Sequence, residues 1–153
     1  MRWKAEDMEQ IIAMQEYVDT LLYPVCVSGE EWDESWIKNQ FWLERVCGYA
    51  ERQLTGRLFL FQPLCVALTK EADEEISYMF IQQNIQALSR RFTHCIVVTN
   101  DNTVSIELTK RGIETYLVSD PPEEKADTKA FLEKALSESN RIVKRCIALW
   151  QNN

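Results

Sequence analysis

The sequence lacks the short motifs that mark nucleotide or phosphate chemistry. Its four glycines, Gly29, Gly48, Gly56 and Gly112, are scattered, and neither GxGxxG nor GxxxxGK[ST] occurs. It also has a single histidine, His94. No serine or cysteine stands at a spacing that would make a nucleophile for this imidazole to activate. The sequence motifs therefore do not identify an enzymatic reaction.

Cysteine pairs of the CxxC type are also missing. All five cysteines lie within apolar strand-like or helical patterns. We interpret them as small buried hydrophobic residues in a reducing compartment, with a disulfide framework or a metal site as the alternatives. We expect no cofactor.

Positive charge is scarce, and so are long apolar runs. The chain has 17 basic and 24 acidic residues, a net charge of −7. Its longest basic clusters are the pairs Arg90-Arg91 and Lys110-Arg111, which makes nucleic acid or an anionic membrane an unexpected partner. Residues 1–7 turn acidic before any signal-type apolar segment could start, so we expect a cytoplasmic protein.

What is present is an ordinary globular composition. The chain has 153 residues, of which 46% are apolar and 27% charged. That length can bury one core without a stabilising metal or disulfide. We predict one α/β domain over residues 1–153.

The segment from Phe92 to Asp101 is the starting point for predicting the fold. Its β-branched centre, closed by polar residues, is typical of a strand buried on both faces. Further strands are predicted over 20–28, 58–68 and 113–119. Because Pro24 lacks a ladder donor, it should lie at an edge, a bulge or the strand's opening residues, and the regular part of the first strand could begin only at Val25.

Helical spacing of apolar residues predicts helices between these strands. They cover 5–18, a segment from about Trp36 to Leu54, 69–92 and the C-terminal segment. Ser28 with Glu31 has the form of a capping box for the second helix, and Asp33 is a later candidate cap. The apolar positions of the third helix include Ile76, Met79 and Phe80.

Segment 103–109 is ambiguous. Val104, Ile106 and Leu108 alternate with polar residues, which alone favours a strand and a mixed sheet. A basic last turn followed by Gly112 favours a short helix, which we predict.

Strands that alternate with helices predict a Rossmann-like three-layer α/β sandwich. We expect a mostly parallel sheet of about four strands, in the order 2-1-3-4, flanked by helices. Ligands bind such sheets where the strand order reverses, at the carboxyl ends of strands 1 and 3. The residues expected there are Ser28, Glu30, Glu31, Thr99, Asn100 and Asp101. Their carboxylates suit Mg²⁺, but helix capping and compensation of the helix dipole explain them without a ligand, and we predict no metal.

Several short motifs resemble those of the YpiF-like family of short proteins from Bacillus-type bacteria. They are Met1-Arg2-Trp3, the segment 16–24, the segment 54–60, Phe92-Thr93-His94 and Thr99-Asn100-Asp101. The resemblance covers the first two thirds of the chain and has no clear match beyond Gly112. The family carries no established activity, so the resemblance implies no catalytic residues. It singles out Asp19, Thr20, Gly56 and Arg57 as motif positions without an assigned role.

Two functions of different classes follow. The first is a non-catalytic cytosolic domain that binds a protein partner or forms a homodimer. It is motivated by the missing catalytic motifs and by five tryptophans, of which Trp32 or Trp42 could mark an exposed contact patch. The alternative is a small-molecule or Mg²⁺-dependent enzyme whose site lies at the carboxyl ends of strands 1 and 3. The first predicts an exposed apolar patch.

Overall fold

A computed structural model describes residues 4–31, 33–68 and 73–152. A 3₁₀ turn, Ala5–Asp7, leads into α1 (Met8–Met14), which is shorter than the predicted first helix. The other helices and strands, in chain order, are β1 (Thr20–Ser28), α2 (Glu34–Gln53), β2 (Leu58–Leu60), β3 (Leu64–Ala67), α3 (Glu74–Leu88), β4 (His94–Thr99), α4 (Asn102–Lys110), β5 (Glu114–Leu117) and α5 (Lys129–Gln151).

The described strands form one parallel sheet. β1 lies at its centre, between β4 on one side and both β2 and β3 on the other, and β5 pairs with β4. Because β2 and β3 together occupy the place of the predicted second strand, the order 2-1-3-4 is confirmed. The predicted α/β class, with helices flanking a parallel sheet, is confirmed as well.

The second strand is interrupted opposite Pro24. Leu22 of β1 pairs with Leu60, and Val25 pairs with Leu64, so two residues of β1 face three residues on the other strand. Successive residues of a strand direct their backbone groups to opposite sides. Leu22 O accepts from Phe61 N (2.9 Å), so the backbone groups of Leu22 point toward the second strand. Pro24, two residues later, faces the same side, where the strand is interrupted and no backbone donor is needed. Of the predicted alternatives for Pro24, the structure shows a bulge, with the extra residue in the neighbouring strand. The strand is already paired from Thr20, so it does not begin only at Val25.

Helices cover the two faces of the sheet. The apolar sides of α2 and α5 pack on one face, in a core that contains Leu43, Val46, Phe131 and Ile142. On the opposite face, α3 and α4 contribute Ile81, Ile85 and Leu108, and Ile11 and Met14 of α1 pack against the edge of that core. Both faces of the sheet are thus buried, as its apolar strands require.

Segment 103–109 is helical, as predicted. Asp101 caps the start of α4 by accepting a hydrogen bond from Val104 N at 2.9 Å. At the other end, Gly112 adopts a φ of 79°, the left-handed conformation that commonly ends a helix. Asp33 caps the start of α2, because its side chain accepts from Trp36 N (2.9 Å). The later candidate cap is therefore the one used.

Candidate functional site

The carboxyl ends of β1 and β4 meet, as the strand order predicts. Beyond Thr99 the ladder continues through a side chain, because the Asn100 amide bonds to the backbone of Val27. Asn100 Oδ1 accepts from Val27 N at 2.8 Å, and Asn100 Nδ2 donates to Val27 O at 3.1 Å. The amide thus takes the place of a strand residue and closes the end of the sheet.

The other predicted site residues of β4 also bind backbone groups. Thr99 is fully buried, and its Oγ1 accepts from Asp101 N at 3.2 Å. Asp101 caps α4 through Oδ1. The polar atoms predicted to meet a ligand here therefore hold the turn between β4 and α4 in place.

On the β1 side, the predicted residues line a separate cleft. Ser28, Glu30 and Glu31 border a small polar cleft of about 260 Å³, together with Asp33 and other residues at the start of α2. Asp101 is not among the residues that line it. Within the described chain, no group of three or more histidine, cysteine or acidic side chains is placed to hold a metal ion.

The opposite end of the sheet brings together three of the four motif positions. Arg57 precedes β2 and makes a bidentate ion pair with Asp19, just before β1. Nε lies 3.1 Å from both carboxylate oxygens, and Nη2 lies 2.9 Å from Oδ2. Thr20 Oγ1 donates to Asp19 Oδ1 at 2.8 Å. Trp150, near the end of α5, donates from Nε1 to Thr20 Oγ1 at 2.8 Å.

Trp150 also stacks on the arginine of this cluster. The Arg57 guanidinium carbon lies 3.9 Å from the Trp150 ring centroid, a cation–π distance. The cluster therefore ties the last helix to the first strand, over 130 residues of sequence. The fourth motif position, Gly56, lies next to it with a φ of 98°, and a Cβ there would stand 2.9 Å from Met14 Cε.

The charge state of Asp19 follows from these contacts. Burial favours the neutral acid, but hydrogen bonds from Arg57 and Thr20 and the positive charge of Arg57 outweigh it. The pKa of Asp19 is therefore lowered. An ionised carboxylate held by Arg57 and Thr20 stabilises the fold, and its lowered pKa makes it a poor base for proton transfer.

The buried cysteines are poorly suited to nucleophilic chemistry. The expectation that all five are buried is wrong for Cys65, which is exposed, and Cys95 is only partly buried. Cys26 pairs with Cys65 across β1 and β3, and both are free thiols. Burial, with Cys65 beside it, raises the pKa of Cys26 to about 11. Burial likewise raises the pKa of Cys146 to about 11.

Trp42 is not an exposed contact residue. Its side chain is only 2% exposed, stacks edge-on against Phe131 with ring centroids 5.3 Å apart, and donates from Nε1 to Ser119 O at 2.7 Å. That prediction is wrong because the helix turns Trp42 toward α5. The other candidate, Trp32, lies outside the described residues.

A cluster of exposed apolar side chains lies instead on α3. Ile76, Met79 and Phe80 are 65%, 47% and 51% exposed, within little more than one helical turn. The sheet is contacted by a second stripe of the same helix, Tyr78, Ile81 and Ile85. The exposed stripe continues through Gln83 and Ala87 and is bounded by Asp73 before the helix and Arg90 after it. We call these seven residues the α3 outer face.

Arg111, the residue that follows α4, fixes the orientation of this helix. Nη2 of Arg111 lies 2.7 Å from both carboxylate oxygens of Glu75, and Nη1 donates to Gln82 Oε1 at 3.2 Å. Its guanidinium also lies 5.4 Å from the Tyr78 ring centroid. The α3 outer face is therefore held toward solvent by contacts on the opposite side of the helix.

Comparison with known families places the chain. The model of the family described as "Protein of unknown function (DUF2487)" matches residues 9–144. The chain belongs to this family. The match extends well past Gly112, where the resemblance noted in the sequence ended, so α4, β5 and most of α5 are part of the DUF2487 domain.

Other comparisons add little. Among curated proteins, nothing matches. Among solved structures, the crystal structure of the N. crassa QDE-2 AGO MID domain aligns with 83% of this chain and 98% of its own, at 13% identity and a TM-score of 0.44. A likeness at that level carries no argument about function.

Proposed function

We propose that this DUF2487 protein is a non-catalytic domain that forms a homodimer through the α3 outer face. The observation that carries the proposal is the exposed cluster of Ile76, Met79 and Phe80 on a helix that already buries another apolar stripe. Three large apolar side chains grouped on a solvent-facing helix are characteristic of an interaction surface, because burying them removes apolar area from water.

Charge along the helix favours a second copy as the occupant. The α3 outer face begins at an acidic residue, Asp73, and ends at a basic one, Arg90. A two-fold axis across the helix makes two copies antiparallel, which sets Asp73 of each beside Arg90 of the other. A parallel arrangement would set like charges together at both ends.

Side-chain size supports the same arrangement. The first half of the α3 outer face carries bulky Ile76 and Phe80, whereas the second half carries Gln83 and Ala87. In the antiparallel pair, Ile76 lies against Ala87, and Phe80 against Gln83, so that large side chains enter the space left by smaller ones. One helix pair buries a small area, which predicts a weak dimer with a Kd on the order of 100 μM.

The strand ends support the alternative function less well. A small-molecule or Mg²⁺-dependent enzyme would use Asn100 and Asp101, together with Glu30 and Glu31. Asn100 and Asp101 already bond to backbone groups, and Glu30 and Glu31 line a cleft apart from Asp101. We therefore build the proposal on α3.

Sedimentation velocity between about 10 μM and 1 mM tests the proposal, since this range spans the expected Kd. The wild-type chain should shift from monomer toward dimer as its concentration rises. Phe80→Glu should remain monomeric, because it places a charge in the apolar contact. Ile147→Glu is the matched control, since Ile147 is an exposed apolar residue of α5 on the other face of the sheet. A monomer at every concentration, or an unchanged dimer in Phe80→Glu, would contradict the proposal.

The proposal also covers the subcellular location of the domain and its relation to other proteins. Five free thiols, three of them buried, suit the reducing cytoplasm. The described residues contain no helix that is both long and apolar enough to span a bilayer. Membership of the YpiF-like bacterial proteins belongs to the same proposal, with support from the motifs around Asp19 and Arg57. So does a Rossmann-like fold, with support from the parallel sheet.

A further inference from the structure

A large apolar cleft lies between α1 and the end of α3, and it shares Ala87 with the α3 outer face. It measures about 690 Å³, within the roughly 300–1,000 Å³ range of small-molecule sites. Phe59, Phe61 and Phe92 form part of its lining, and the Phe59 and Phe92 rings stack at 5.9 Å. Met8 and Ile12 of α1 line it while more than half exposed.

The charged side chains that line this cleft are basic, whereas the chain as a whole is acidic. Lys4 and Arg91 line it, and the described lining residues include no acid, although the chain carries a net charge of −7. Arg91 is held in place there, because Nη1 donates to Val18 O at 3.1 Å and Nη2 donates to Gln15 O. Lys4 Nζ lies 3.2 Å from Glu6 Oε1, in an exposed ion pair that solvent screens. An apolar cleft with a fixed arginine and this second cation at its edge is complementary to an anion with an apolar tail.

We propose that this cleft binds a free, straight-chain fatty acid. The unbranched tail would lie on the phenylalanine rings and between Met8 and Ile12, where the flexible thioether of Met8 adapts to it. The carboxylate would lie at the edge, beside Arg91 and Lys4, where the guanidinium offers donors beyond those that bind Val18 and Gln15. The cleft has room for one apolar tail and has two cations in its lining, so a ligand with one carboxylate and one chain fits it.

Calorimetry on the full chain with two detergent-like probes of equal tail length tests this inference, at probe concentrations below those that form micelles. Dodecanoate should bind with one site per chain, about tenfold more tightly than dodecylammonium, because two partly exposed cations attract one head group and repel the other. Equal affinity for the two probes, or binding that does not saturate at one site, would overturn the proposal.

Variants locate the site. Ile12→Glu places a carboxylate in the cleft and should abolish dodecanoate binding, whereas the matched Ile147→Glu on α5 should leave it unchanged. Since Ile12 is 64% exposed, its replacement should not disturb the fold. Lys4→Glu should reduce the preference for dodecanoate over dodecylammonium. Retained binding in Ile12→Glu would contradict the assigned site. Phe80→Glu should bind dodecanoate normally, so that this inference and the proposed dimer can fail separately.

Discussion

Replacing Arg57 with alanine should destabilise the protein more than the loss of an ordinary surface ion pair would. Arg57 is only partly exposed, yet its guanidinium contacts both Asp19 and the face of Trp150. The variant loses the bidentate pair and the stacking together. It also leaves the Asp19 carboxylate with Thr20 as its remaining side-chain donor among the contacts described.

The expected loss is the sum of two modest contributions. The ion pair contributes about 1 kcal/mol, the upper end for partly exposed pairs, because its geometry is bidentate while solvent still screens it. Stacking on Trp150 at 3.9 Å contributes about 0.5–1 kcal/mol. Arg57→Ala should therefore lower the free energy of unfolding by about 2 kcal/mol.

Arg145 provides a matched control. It pairs with Glu114, and the side-chain exposures are 50% and 31%, against 43% and 29% for Arg57 and Asp19. Because no aromatic ring among the described residues stacks on its guanidinium, Arg145→Ala should cost only about 0.5 kcal/mol. Urea unfolding at pH 7, at a protein concentration well below the dimer Kd, measures both. Equal losses in the two variants would refute the role given to the cluster.

Three further outcomes follow from the structure. The pKa of Asp19 is lowered in the folded protein. The contribution of this carboxylate to stability is therefore complete above the unfolded pKa of about 3.9 and is lost as pH falls through the lower folded value. In urea titrations, Asp19→Asn should make the free energy of unfolding depend less on pH at the acid end. Gly56→Ala should cost about 1–2 kcal/mol, more than Gly112→Ala, because both have positive φ but only Gly56 would bring its new Cβ against a neighbour; equal changes in melting temperature would contradict this. Asn100→Ala should cost about 2 kcal/mol and speed amide exchange at Val27, since it removes both bonds that close the sheet; unchanged exchange would refute it.

Local patterns predicted the helices and strands well, because each depends on neighbouring residues. The buried run before Thr99 and the basic turn before Gly112 identified β4 and the end of α4. The alternation of helices and strands predicts parallel pairing, whereas the order 2-1-3-4, which the structure confirms, was a guess among the orders that the alternation allows. Pro24 was placed less well, because the interruption opposite it lies in another strand and cannot be seen from the sequence around the proline.

The candidate surface could not be chosen from the sequence for a different reason. α3 carries two apolar stripes at helical spacing, and the pattern does not say which of them meets the sheet. The prediction emphasised Ile76 and Phe80, whereas Ile81 and Ile85 are buried. Asn100 was likewise predicted to be available to a ligand. Its amide bonds instead to the backbone of Val27, and this contact arises only because β1 extends beyond the end of β4.

Cysteine cross-linking across the α3 pair tests the central claim most directly. In the antiparallel dimer, residue 76 of one copy lies beside residue 87 of the other, whereas two copies of either position lie about 16 Å apart along the helix. In a Cys65→Ser background, Ile76→Cys alone and Ala87→Cys alone should give no dimer with a short bismaleimide, and their mixture should give one. Cross-linking of either variant with itself, or none in the mixture, would contradict an antiparallel dimer through α3.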